Sequence, residues 1–177
     1  EIDIEDLIEE EDVVITMTHF GYVKRMPIDT YRSQHRGGRG ISAQAVRDED
    51  FVENIMTTST HNNILFFTNK GRMFKLKGYQ IPEAGRQAKG TAIINLLELA
   101  SDEKISATIT VKDFEEGKFL TFVTKYGVIK RTSLTEYDTS RKNGFWAIGL
   151  DEGDEVIKVA LTDGEKDVII ATSDGMA

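Results

Sequence analysis

Val14-Ile15-Thr16-Met17-Thr18-His19-Phe20-Gly21 recurs three times in altered form. The later copies are Leu65-Phe66-Phe67-Thr68-Asn69-Lys70-Gly71, Leu120-Thr121-Phe122-Val123-Thr124-Lys125-Tyr126-Gly127 and Val168-Ile169-Ile170-Ala171-Thr172-Ser173-Asp174-Gly175. Each places threonine three residues before glycine, and the glycines at 21, 71, 127 and 175 are 50, 56 and 48 residues apart. The chain therefore holds three complete units and the start of a fourth, and a period near fifty residues points to a repeat architecture.

Each copy opens with a β-branched and aromatic run, turns through Thr-x-x-Gly, and resumes an alternation such as Tyr22-Val23-Lys24-Arg25 or Val128-Ile129-Lys130-Arg131. That is a hairpin whose glycine supplies the left-handed conformation of a tight loop. A second column, Glu53-Asn54-Ile55, Glu103-Lys104-Ile105 and Glu155-Val156-Ile157, leads into a further strand in each unit. Helix signals are sparse, with only residues 4–11 and 93–99 able to form helical turns. The expected class is all-β: four-stranded blades, one per unit, in a propeller-like arrangement. Three and a fraction units are too few to close a ring, so the chain is expected to be a piece of a longer domain.

The 177 residues contain no cysteine and three histidines, His19, His35 and His61, whose spacing fits no metal motif. There is no run of 18 apolar residues and no signal-peptide pattern. No triad-like grouping or phosphate-binding loop motif stands out, so catalysis in this chain is not expected. The net charge of −8 is misleading as a whole. Residues 1–12 hold eight acids and no base, leaving 22 acids and 22 bases in the rest. We expect residues 1–12 to be a solvated acidic linker or tail and residues 13–177 to carry the blades.

Beyond the tail, charge is sorted by repeat phase. Residues 19–47 carry six bases and one acid, residues 70–90 again six and one, and residues 125–142 five and two, while the intervening segments are acidic on balance. Arg25, Lys75 and Arg131 stand four residues after successive turn glycines, and Arg36, Arg86 and Lys142 stand fifteen after them. Equivalent positions in a repeat occupy equivalent places on each blade. A basic track on an acidic body is the footprint of nucleic-acid backbone binding. The candidate perimeter is Lys24, Arg25, Arg32, Arg72, Lys75, Arg86, Lys89, Lys130, Arg131, Arg141 and Lys142. Tyr31, Ile81 and Tyr137 share one phase and read as packing positions.

The first unit adds Gln34-His35-Arg36-Gly37-Gly38-Arg39-Gly40, in which two arginines sit among three glycines. Arginine presents a planar fork of donors suited to phosphate, and glycine lets the backbone approach closely. Set at this phase, the seven residues resemble the gyrase A box, Gln-Arg/Lys-Arg-Gly-Gly-Arg/Lys-Gly. With Gly21-Tyr22-Val23-Lys24-Arg25 and Tyr31, the chain is similar over its whole length to the C-terminal domain of the A subunit of bacterial DNA gyrases. His35 departs from the motif, replacing a permanent charge with a pH-dependent one. Arg86-Gln87-Ala88-Lys89-Gly90 and Lys142-Asn143-Gly144 look like degenerate echoes of the box.

The resemblance implies a six-bladed β-pinwheel, of which about three and a half blades are present here, wrapping duplex DNA around its perimeter. By that implication residues 34–40 and the perimeter bases contact DNA, and the wrap directs strand passage by an ATP-dependent type II topoisomerase towards negative supercoiling. It also implies an A2B2 assembly with the gyrase B subunit in the bacterial cytoplasm, at the nucleoid. The domain itself would use no cofactor, with ATP and Mg acting elsewhere. The alternatives are the equivalent domain of topoisomerase IV, whose boxes are usually eroded, and a propeller-like protein-interaction module.

Overall fold

The computed structural model describes residues 3–36, 50–139 and 144–163. The fourth turn at Gly175 lies outside them. In chain order the elements are β1 (Asp12–Thr18), β2 (Tyr22–Pro27), α1 (Ile28–Arg36), β3 (Val52–Ser59), β4 (Asn63–Thr68), β5 (Arg72–Lys77), β6 (Thr91–Ala92), β7 (Ile105–Val111), β8 (Phe119–Thr124), β9 (Ile129–Ser133), β10 (Phe145–Trp146) and β11 (Val156–Thr162). All strand pairs among these elements are antiparallel.

The recurrent Thr-x-x-Gly is one turn built three times. The amides of Gly21, Gly71 and Gly127 donate to the carbonyls of Thr18, Thr68 and Thr124 at 2.9, 3.1 and 2.9 Å. Each threonine hydroxyl accepts the next amide along, from Tyr22, Arg72 and Val128, at 3.0 to 3.1 Å. The glycines adopt φ of 90°, 90° and 86°, a region costly for any residue with a Cβ. Threonine and glycine are thus required together, one as acceptor and one for its backbone.

The four-stranded blades form, but not one per repeat. The sheet orders are β3-β1-β2-β6 and β10-β5-β4-β7, with β11-β8-β9 in the third unit. The outer strand of the first blade, β6, comes from the second unit, and that of the second blade, β10, from the third. Each crossing strand covers an edge that β2 or β5 would otherwise present to solvent. The second and third units each supply four strands, as expected, but one of the four completes the preceding blade and not its own.

The cores lie between blades. Strand β4 is buried throughout, and its residues alternate between two of them. Ile64, Phe66 and Phe74 join Val13, Ile15, Val23, Ile81 and Ile93 on the first-blade side, whereas Leu65, Phe67 and Met73 join Phe122, Leu134, Tyr137 and Val156 on the third-blade side. Burial on both faces explains why residues 64–67 read as an unbroken apolar run. Ile81 and Tyr137 are packing residues, at 0% and 2% exposure.

At the other edge the third strands of successive units adjoin. Asn54 Nδ2 donates to Thr108 Oγ1 at 2.8 Å, and Ser106 Oγ to the Val156 carbonyl at 2.8 Å. The crossing strands β6 and β10 therefore occupy the outer margin.

Three further expectations change. Residues 28–36 form an α-helix that the sparse helix signals did not reveal; Pro27 at its start and Asp29 in its first turn suit a helix N-terminus. The corresponding positions in later units form only the 3₁₀ turns Gly78–Gln80 and Leu134–Tyr137. The acidic segment does not stand free. Thr60 Oγ1 donates to the Glu9 carbonyl at 2.8 Å and accepts the Glu11 amide at 3.1 Å. His61 Nε2 lies 2.8 Å from the Ile8 carbonyl, and Lys77 Nζ 3.4 Å from Glu5.

The acidic column also shifts register. Amides of His19, Asn69 and Lys125 donate to the carbonyls of Phe51, Lys104 and Glu155, making Asp50, Glu103 and Asp154 the equivalent carboxylates. Asp50 and Asp154 accept the turn amides of Phe20 and Tyr126 at 2.8 and 2.9 Å. In the second blade Glu103 accepts the Thr68 hydroxyl at 2.6 Å, as, against burial, Thr18 and Thr124 help to lower the carboxyls of Asp50 and Asp154 in theirs. Glu53 reaches His19 Nδ1 at 3.0 Å, and Glu155 accepts from Asn69 at 3.3 Å.

Candidate nucleic-acid interface

Residues 81–90 run along the outer flank of β2 before entering β6. Arg25 pairs with this loop through its backbone, donating to the Pro82 carbonyl and accepting from the Ala84 amide, both at 3.1 Å. Its Nε donates to the Ile81 carbonyl at 2.8 Å. The Lys24 ammonium donates to the carbonyls of Gly85, Arg86 and Ala88 at 3.1, 3.1 and 3.0 Å. Burial pulls the Lys24 ammonium below its ordinary value. The loop thus held presents Arg86 and Lys89 to solvent, both exposed. The Lys89 ammonium lies 4.3 Å from the centroid of the Tyr22 ring, a cation–π contact that orients it.

The predicted perimeter divides into two groups. Arg32, on α1, and Arg86, Lys89, Lys130 and Arg131 are exposed and pair with no carboxylate among the described residues. The Arg131 guanidinium rests 3.8 Å above the Phe119 ring. Lys24, Arg25, Lys75 and Arg72 are half-buried and engaged within the protein. Lys75 donates to the Thr139 carbonyl and lies 5.3 Å from the Phe114 ring centroid. Arg72 is paired with Glu103 and lies over Phe74. The column of Arg25 and Lys75 therefore ties one unit to the crossing segment of the next; Arg131, in the same phase, stands in the third unit, and the segment that follows it lies outside the described residues. Sequence phase does not distinguish these states, because the partners are carbonyls 56 and 64 residues away.

Of the glycine-rich motif, Gln34, His35 and Arg36 form the last residues of α1. Gly37, Gly38, Arg39 and Gly40 lie outside the described residues, as do Arg141 and Lys142. The sequence reading missed Tyr22, the ring beneath Lys89. Its one signal is an aromatic residue directly after the turn glycine.

Comparison with known proteins places these units in context. A family model described as DNA gyrase C-terminal domain, beta-propeller, matches residues 12–59, 62–112 and 118–163, one segment per unit. The chain is 60% identical to the DNA gyrase A subunit of Clostridium acetobutylicum over its whole length, and 54% identical to that of Halalkalibacterium halodurans over 98% of it. It spans about a fifth of these curated relatives, 21% of each. Among solved structures, the C-terminal domain of a DNA topoisomerase IV superposes with a TM-score of 0.74 at 30% identity, covering 89% of this chain and 47% of that one. A DNA gyrase A C-terminal domain superposes at 0.61 with 24% identity, covering 86% and 48%, a likeness of fold.

Proposed function

Because the chain belongs to the family of DNA gyrase C-terminal β-propeller domains, we propose that it binds and wraps duplex DNA along the outer margin of its blades. The observation that carries this reading is the position of the open cations. Arg86 and Lys89 stand on the loop entering outer strand β6 of the first blade, and Lys130 and Arg131 stand on β9, the third sheet's counterpart of β2 and β5. Exposed bases on the first and third sheets match a charged duplex that follows the margin from blade to blade. Such contacts track phosphates, carry little sequence preference and weaken steeply with salt. Bending the duplex around the margin would be read through its deformability.

In the parent protein the wrap would present a DNA segment for passage, within an A2B2 assembly with the gyrase B subunit in the bacterial cytoplasm. ATP and Mg would act elsewhere in that assembly, and this domain would perform no chemistry. Among the described residues no helix is long and apolar enough to cross a membrane, and no cluster of His, Asp and Glu could hold a metal ion. Gln34 to Gly40 would set the chirality of the wrap, so changes at Gly37, Gly38 or Arg39 should disturb supercoiling more than affinity. The structural likeness to a topoisomerase IV domain supports a second reading, in which DNA is bound without chiral wrapping.

A salt titration of duplex binding, with relaxed circular DNA and a nicking-closing enzyme, tests both. Falling affinity with rising salt and a shifted linking number support gyrase-like wrapping. Binding without a linking change supports the second reading, and salt-indifferent binding sinks both.

A further inference from the structure

We propose that Lys24 is a positioning residue: its ammonium fixes the outer loop of the following unit so that Arg86 and Lys89 face the duplex, making the first unit set the DNA contacts that the second unit's loop carries at the edge of the first blade. This rests on the DNA-binding reading of the perimeter. A lysine ammonium has three donors and no acceptor. All three donors of Lys24 are engaged, on the carbonyls of Gly85, Arg86 and Ala88. None remains for phosphate without releasing the loop.

Three carbonyl dipoles converging on one point are mutually repulsive and would themselves repel a phosphate. The ammonium resolves both conflicts. Arg25 extends the clamp by holding residues 81–84 through Ile81, Pro82 and Ala84.

The far end of the loop is fixed independently. Gly90, at φ 98°, lies so close to β2 that an added Cβ would sit 2.5 Å from the Val23 carbonyl oxygen, and Thr91 then pairs with Val23. Between these anchors the backbone has little freedom, while the side chains of Arg86 and Lys89 project into solvent.

The arrangement is not repeated at the next joint. In the second unit the position three after the turn glycine is Phe74, which is buried at 1% exposure. In the third it is Lys130, and the unit that follows it lies outside the described residues.

The test uses Lys24→Met, which keeps the stem and removes the donors, together with the Arg86→Ala/Lys89→Ala pair and the triple variant, all in the complete chain. Without DNA, hydrogen exchange at the Ala84 and Ala88 amides is expected to quicken at least tenfold in Lys24→Met. With DNA, Lys24→Met is expected to lower the salt slope of duplex binding, by up to about 0.9 for each of the two phosphates that Arg86 and Lys89 then release. It should add nothing in the Arg86→Ala/Lys89→Ala background.

A slope decrease of about 0.9 that persists in that background would identify Lys24 as a direct phosphate contact and overturn the proposal. Unchanged exchange at both amides, or an unchanged salt slope in Lys24→Met, would overturn it too. If the paired alanine variant binds DNA like wild type while exchange still quickens, the perimeter reading fails and only the clamp stands.

Discussion

Arg72 and Glu103 form a two-point ion pair across the second blade, with Nη2 at 2.6 Å from Oε1 and Nε at 3.0 Å from Oε2. The Glu103 side chain is 1% exposed and that of Arg72 22%. Glu103 also accepts the Thr68 hydroxyl at 2.6 Å and the Ala100 amide at 3.0 Å. The signature turn and the entrance to β7 are thereby joined through one carboxylate. Arg72, which sequence phase assigns to the DNA-binding perimeter, is held inside this network.

Acid should dissolve that joint. Burial alone would raise the Glu103 carboxyl, but hydrogen bonds from Arg72, Thr68 and Ala100 and the Arg72 charge outweigh it and hold the group at about 2, from an ordinary 4.5. Its stabilising contribution is complete above the ordinary value and is lost as pH falls from about 4.5 towards 2. Urea unfolding between pH 7 and pH 3 should show the wild type losing stability in that window. Glu103→Gln should start lower, by about 3 kcal/mol at pH 7, and vary less with acid.

The three turn glycines should not be equally replaceable. An alanine at Gly21 would place its Cβ 3.3 Å from Ile93 Cγ2, a side-chain methyl that can give, so it bears mainly the left-handed backbone cost of about 1–2 kcal/mol. At Gly71 the added Cβ would lie 2.7 Å from the Ile148 carbonyl oxygen, where the third unit's crossing segment docks, adding roughly 1–3 kcal/mol. Denaturant midpoints of the two variants should separate in that order.

Among the perimeter cations, exposure should predict the assay that responds. Arg86→Ala and Lys89→Ala should each lower duplex affinity and the salt slope, by about 0.9 for every phosphate no longer held. Lys75→Ala should leave the slope in place and lower stability by about 1 kcal/mol, through loss of its bond to Thr139. Fluorescence anisotropy at several salt concentrations, alongside thermal unfolding, checks the division.

The acidic strap depends on Thr60, which is 1% exposed and bonds both Glu9 and Glu11. Thr60→Val removes both bonds and should cost about 1–2 kcal/mol. Limited proteolysis would read the release directly, as faster cleavage within residues 3–11 than in the wild type.

The repeat is legible in the sequence because its defining bonds are local. Thr18, Thr68 and Thr124 bond residues three and four positions ahead, so the same few letters must recur wherever the turn does. The buried run at residues 64–67 is legible for a similar reason, since burial on both faces demands apolar residues in succession. Alignment on letters alone misreads the acidic column. Glu53 and Glu155 look equivalent to Glu103, yet the amide contacts select Asp50 and Asp154.

By itself the sequence determined the all-β class, the period, the turns and the sorting of charge by phase, all carried by spacings of a few residues or by direct repetition. Tertiary structure decided which blade each short strand completes and which cations remain open. Those outcomes depend on contacts between residues 56 to 64 apart, as from Arg25 to Ile81, Lys24 to Gly85 and Lys75 to Thr139. A lysine facing three carbonyls and a lysine facing water are the same letter, and only the neighbouring chain separates them.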